Sequence, residues 1–259
     1  MKIKSWALIL GGSSGLGLAT AQKLGDKGYN IIVIHRDRKS DLPEIASAFK
    51  IIQENGVRCI NFNVDAVNPE KQSELVTEIS KLLGGEKIKV LVHSIAKGNL
   101  KPMYASGSSE LNNQDFQLTI NAMAISLYDW VKKLVQHNLF SKDARVIAYT
   151  SEGNSKALPN YAAVSAAKVT LEAIVRNIAL EFASIGIKAN CIQAGVTDTK
   201  SMQMIPNSQL ILEAALKRNP NKRLTKPEDV ANAAYLLTTN EAKWITGTVI
   251  KADGGESLH

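Results

Sequence analysis

The chain has 259 residues, 45% hydrophobic and 21% charged. That apolar content can bury a large core, and with no Pro/Ser-rich linker or repeat to divide it, a single domain over residues 1–259 is expected. The net charge of +7 favours an acidic partner or substrate, whereas scattered basic residues and an aromatic content of 5% argue against a base-stacking nucleic-acid surface.

In chain order, "MKIKSWALILGG" has a basic start and an apolar run too short for a secretory signal or a membrane span, so it reads as a buried first strand. Gly11, Gly15 and Gly17 follow in "LILGGSSGLGLATAQKL", with Ser13, Ser14 and Leu16 between them, at the mouth of a helix expected over 15–27. Glycines there permit a tight turn and a close backbone approach. Free N–H groups and the dipole of a helix start favour a pyrophosphate at that point. The second strand, "NIIVIH", ends at His35 with Arg36 next. A carboxylate at this strand end suits the ribose diol of NAD, and a basic residue suits a 2′-phosphate, so the local sign points to NADPH.

A helix over 41–54 leads to a third strand, "RCINFNV", and Asp65 is placed to cap the helix expected from 68 to 83. The strand "KVLVHSI" ends near Ser94, Ile95 and Ala96. A helix over 111–136 carries Asn121, and "RVIAYT" ends just before Ser151. The helix over 160–183 begins near Tyr161 and carries Lys168, with Val164 four positions before that lysine. Seven residues make close to two helical turns, which leaves Tyr161 and Lys168 on one face, ~10 Å apart along the axis. After "IKANCIQ", the loop "AGVTDT" holds Gly195, Val196 and Thr199. Residues 200–218 are helix-capable, a candidate substrate lid in which Met202, Met204 and Ile205 could line an apolar tunnel. A helix over 226–239 and the strand "GTVIKAD" complete the pattern. Seven apolar strands alternating with helices imply an α/β fold, a doubly wound parallel sheet covered on both faces. Cys59 and Cys191 sit within apolar runs and read as buried thiols in a reducing cytosol, with no metal site.

From the glycine loop to "ITGTVIKADGG" the chain resembles the short-chain dehydrogenase/reductase family, whose Rossmann fold binds a nicotinamide cofactor. The resemblance implies cofactor contacts at Gly11, Ser13, Ser14, Gly15, Leu16, Gly17, His35, Arg36, Asp65, Ala66, Ser94, Ile95, Ala96, Lys168, Gly195, Val196 and Thr199. It implies a catalytic set of Tyr161, Lys168, Ser151 and Asn121. Ketone reductases of the family space Tyr and Lys by four. The spacing of seven, the "HSIA" segment and Ala194 in place of a common Pro resemble its enoyl-acyl-carrier-protein reductases. The expected activity is therefore NADPH-dependent reduction of trans-2-enoyl thioesters on acyl carrier protein or CoA, in fatty-acid biosynthesis, by a cytoplasmic homotetramer with no membrane or nucleic-acid partner. Alternatives are a 3-oxoacyl or other carbonyl reductase, and a non-catalytic NADPH-binding regulator.

Overall fold

The computed structural model describes residues 5–106 and 109–259. Seven strands form the sheet: β1 (Trp6–Leu10), β2 (Asn30–His35), β3 (Cys59–Asn63), β4 (Ile88–His93), β5 (Phe140–Ser151), β6 (Ile187–Ala194) and β7 (Val249–Ala252). Their order is β3-β2-β1-β4-β5-β6-β7, and every pairing is parallel. β1 and β2 are buried along their whole length, which is why β1 and the centre of β2, Ile31–Ile34, read as apolar runs. Side chains alternate across the sheet. Trp6, Leu8 and Leu10 join a core with Leu75, Val76 and Ile79 of α3 (Pro69–Leu83), Leu127 and Trp130 of α5 (Ser126–Gln136), and Leu171 and Val175 of α6 (Ala162–Glu181). Ala7 and Ile9 join the opposite core, with Ala21 and Leu24 of α1 (Gly15–Asp26), Phe49 and Ile52 of α2 (Leu42–Glu54), and Val230 and Ala234 of α9 (Pro227–Thr238).

The helix expected over 111–136 is divided. α4 (Asn113–Ile120) starts from a capping box made by Asn112 and Asp115, and a π-helical turn over Asn121–Ile125 joins it to α5. Such widened turns are rare and tend to mark functional sites. The lid segment folds as α7 (Lys200–Gln203) and α8 (Ser208–Arg218). Asn68, rather than Asp65, caps α3, accepting from the backbone N–H groups of Glu70 and Lys71 at 3.0 Å each. Among the described residues no helix is long and apolar enough to cross a membrane.

Candidate active site

The strand order reverses between β1 and β4, and a cleft of about 750 Å³ opens beyond their carboxyl ends. The glycine loop forms its floor. Gly11 has φ +80°, and a Cβ on it would lie 2.4 Å from the Ser94 carbonyl oxygen. A Cβ on Gly17 would lie 2.1 Å from the Gly11 carbonyl oxygen, so this glycine brings α1 against the loop. Ser13, Ser14, Gly15 and Leu16 border the cleft at the start of α1, while Gly17 stands behind them as packing. An uncapped helix start with space above it is a cradle for a pyrophosphate.

At the β2 end, His35 is buried, with Nδ1 at 2.8 Å from Asp37 Oδ2 and Nε2 at 3.2 Å from the Asn61 side-chain oxygen. The acid available at this strand end is thereby turned toward an imidazole. Arg36 Nη1 and Lys97 Nζ both donate to Asp65 Oδ2, at 3.0 and 3.3 Å, and all three residues border the cleft. Burial tends to raise the Asp65 carboxyl pKa, but the Val67 backbone N–H, Lys97 and Arg36 outweigh it and hold the group below the ordinary value. Two cations thus meet one carboxylate at this end of the cleft. Ala66, Ser94, Ile95 and Ala96 complete this wall.

Tyr161 lies at the N-cap position of α6, facing the end of β5. Its Oη is 3.3 Å from Ser151 Oγ. Burial pushes the phenol pKa up and Ser151 offsets part of that rise, so Tyr161 is a protonated donor at neutral pH. Val164 is 5% exposed and packs with Met123 and Ala167, so the position that ketone-reductase spacing would give a second phenol is an apolar wall. Lys168 shares the face of α6 with Tyr161 but donates to the Tyr149 carbonyl at 2.7 Å. Burial lowers its pKa to about 8, against the opposing influence of Cys191 and Glu172, which leaves it mainly cationic at pH 7. Two of its three N–H donors stay available for a ligand's hydroxyls.

Asn121 stands apart. It opens the π-helical turn, its side chain is exposed, and it does not border the cleft. His93 is fully buried, with Nε2 2.9 Å from Ser126 Oγ, and desolvation with nearby Lys168 lowers its pKa to about 3, so it is a neutral packing group.

Gly195, Val196 and Thr199 border the cleft opposite the glycine loop. Thr199 caps α7, accepting from Met202 N at 3.2 Å. In the candidate lid, residues 200–218, Met202, Ile205, Leu210, Ile211 and Ala214 face the cleft. Met204 corrects the sequence expectation, for it is 76% exposed at the C-cap of α7 and points away. Lys97, Glu152 and Arg218 also border the cleft, and sequence reasoning missed them. A charge directly after Ser151 was the one local signal for Glu152; the other two are set by contacts distant in sequence.

A family model described as Enoyl-(Acyl carrier protein) reductase matches residues 11–257. The 1-cyclohexenylcarbonyl-CoA reductase of Streptomyces collinus is 26% identical, with 97% of this chain and 86% of that protein covered. The 3-oxoacyl-[acyl-carrier-protein] reductase FabG of Staphylococcus epidermidis is 24% identical, covering 96% of this chain and 97% of that protein. Among solved structures, the enoyl-[acyl-carrier-protein] reductase (NADH) of Aquifex aeolicus superposes with a TM-score of 0.83 at 22% identity, over 99% of this chain and 98% of that one. A cleft at the strand-order reversal, a phenol–hydroxyl pair beside it and a family match over nearly the whole chain agree, and the protein belongs to the short-chain dehydrogenase/reductase family of oxidoreductases.

Proposed function

We propose that the protein reduces trans-2-enoyl thioesters with NADPH. The observation that carries this reading is the site of the phenol: Tyr161 at the entrance of α6, with the position one turn closer to Lys168 filled by buried Val164. When bound, the reduced nicotinamide supplies the hydride. The Gly11–Gly17 loop and the start of α1 hold its pyrophosphate, and Arg36 with Lys97 offers cations to a 2′-phosphate. Lys168 holds ribose hydroxyls while keeping its bond to Tyr149.

As the substrate β-carbon accepts the hydride, negative charge develops on the thioester oxygen. Tyr161 stabilises that oxygen by donating its phenolic hydrogen bond, aligned by Ser151 at 3.3 Å, and the α-carbon of the resulting enolate then takes a proton from Tyr161 or solvent to give the saturated thioester. The Lys168 cation strengthens this donation electrostatically. Apolar lid residues Met202, Ile205, Leu210 and Ile211 cover the acyl chain and exclude water. Acyl carrier protein or CoA presents the thioester, in keeping with the net charge of +7. Second copies of the chain cover Leu118, Ile125, Tyr128, Val169 and Leu180, exposed on α4 to α6, and the separate exposed pair Leu236 and Trp244, which suits a homotetramer. Fatty-acid synthesis in the reducing cytoplasm fits two free, buried cysteines.

A second reading, carbonyl reduction, draws on the same two hydroxyls, since Ser151 and Tyr161 could both donate to a ketone oxygen. Crotonyl and acetoacetyl thioesters assayed side by side, each with NADPH and with NADH, separate the two. Faster turnover of the crotonyl substrate with NADPH is expected. Preference for acetoacetyl would reverse the assignment, and cofactor binding without turnover on either would favour a regulator.

A further inference from the structure

The lid end of the cleft is closed by a charged network that the reaction above does not use. Arg218, the last residue of α8, donates through Nη2 to Glu152 Oε1 and, at 2.5 Å, to Glu256 Oε1. Glu256 is 1% exposed, in a 3₁₀ turn (Glu256–Leu258), and its other oxygen accepts from the Val196 backbone N–H at 3.0 Å. Glu152 follows Ser151 directly, and its second oxygen lies 3.3 Å from Lys156 Nζ, which also donates to the His259 carbonyl at 2.8 Å. One guanidinium therefore joins three walls of the cleft: the lid helix, the strand end bearing Ser151 and the loop after β6.

Position, rather than stability, explains such a network. Two carboxylates drawn out of water around one guanidinium stabilise a fold little more than well-packed apolar groups do. Arg218 Nε is buried without a hydrogen-bond partner, a cost that calls for an explanation. Leu210, Ile211, Ala214 and Arg218 recur at helical spacing and all border the cleft, so the cation sits at the foot of the apolar face of α8. Nearby, Asn219 Nδ2 donates to the Asp253 carbonyl at 3.0 Å and Asn221 Nδ2 to the Gly254 carbonyl at 2.8 Å, fastening the C-terminal tail to the lid. Arg218 extends that fastening to the Ser151 strand.

We propose that Arg218 is a positioning residue that presets the lid for the acyl group, holding α8 against Glu152 and Glu256 before substrate arrives. The proposal rests on reading the cleft as an acyl-thioester site. With the latch broken, the lid samples open arrangements and only a fraction of molecules are ready to bind. Apparent acyl affinity falls by that fraction, while chemistry in the assembled complex is retained.

The test compares wild type with Arg218→Met, Arg218→Lys and Glu152→Gln. Thermolysin, which cuts beside apolar residues, is applied without substrate, and cleavage within 200–218 is expected to quicken roughly tenfold in Arg218→Met. KM for a crotonyl thioester is expected to rise roughly tenfold with kcat within about twofold, and Arg218→Lys to recover part of both effects. Affinity for 2′,5′-ADP, which occupies the opposite end, reports that the rest of the cleft is intact. Should Arg218→Met fail to fold, Glu152→Gln, which keeps the side-chain volume and removes one charge, is held to the same direction of change. Wild-type cleavage rates and KM in the variants overturn the proposal, as does a fall in kcat at constant KM. Because proteolysis is read without substrate, a wild type that turns over no thioester counts against the functional reading, while cleavage still decides the latch.

Discussion

Gly153→Ala displaces the donor ring without touching its hydroxyl. Gly153 lies in the 3₁₀ turn after Ser151 (Glu152–Asn154) and its φ is not in the left-handed region, so alanine meets no backbone objection. The added Cβ would lie 2.5 Å from Tyr161 Cε1 and 2.9 Å from Cδ1, against an ordinary contact of 3.4–4 Å. The ring has to retreat by roughly 1 Å, and a misplacement of that size can cost ~10²-fold in rate. That corresponds to about 2.7 kcal/mol of transition-state stabilisation. The assay is kcat for NADPH oxidation with a crotonyl thioester, beside 2′,5′-ADP affinity and a thermal melt. The expected result is the loss of kcat with adenosine-end binding unchanged. A folded variant with kcat within about threefold of wild type would refute the inference that the ring position matters.

Arg36→Ala is expected to weaken NADPH binding by ~10–150-fold while leaving NADH nearly unchanged, from the ~1.5–3 kcal/mol of a charge-assisted bond, and Lys97→Met to act in the same direction; titration with both cofactors measures it. Lys168, with its pKa lowered to about 8, is cationic below that pH and loses its proton above it, so enoyl reduction should fall as pH rises through about 8. Lys168→Arg, which keeps its charge, should lack this limb in the pH–rate profile, and its persistence there would assign the limb to another group. In the wild type, limited proteolysis within 200–218 should slow when NADPH and a non-reactive acyl thioester are bound, and equal cleavage in both states would remove the lid role.

The sheet was legible where burial is complete. "NIIVIH" coincides with β2, since a strand covered on both faces is apolar through its centre, here Ile31 to Ile34. The edge strand β7 runs only Val249–Ala252, the residues that pair with Cys191–Ala194 at the end of β6, and is shorter than "GTVIKAD" suggests. The glycine loop could be read because Gly11 and Gly17 answer steric demands within one turn of chain. Lys97 could not, since its meeting with Arg36 depends on Asp65 and on three loops converging at the strand ends. Arg218 bridges residues 66 and 38 positions away, a relation no local period encodes. Met204 shows a limit of composition, because its apolar character fits a tunnel while the short α7 turns it outward. The side chain of Asn121 is what the family resemblance points to, while the structure places a π-helical turn of the backbone at its position.

Tyr161 is the hydrogen-bond donor to the thioester oxygen, and kcat of Tyr161→Phe with a crotonyl thioester, alone and with Val164→Tyr added, tests this most directly. Removing one hydroxyl while keeping the ring should lower kcat by ~10²–10³, the usual cost of losing an oxyanion donor, with NADPH affinity unchanged. A phenol at 164, rising from the apolar wall with Met123 and Ala167, should not restore the rate. Near-wild-type turnover by Tyr161→Phe, or rescue by Val164→Tyr, would contradict the assignment and pass the donor role to Ser151, water or the ketone-reductase position.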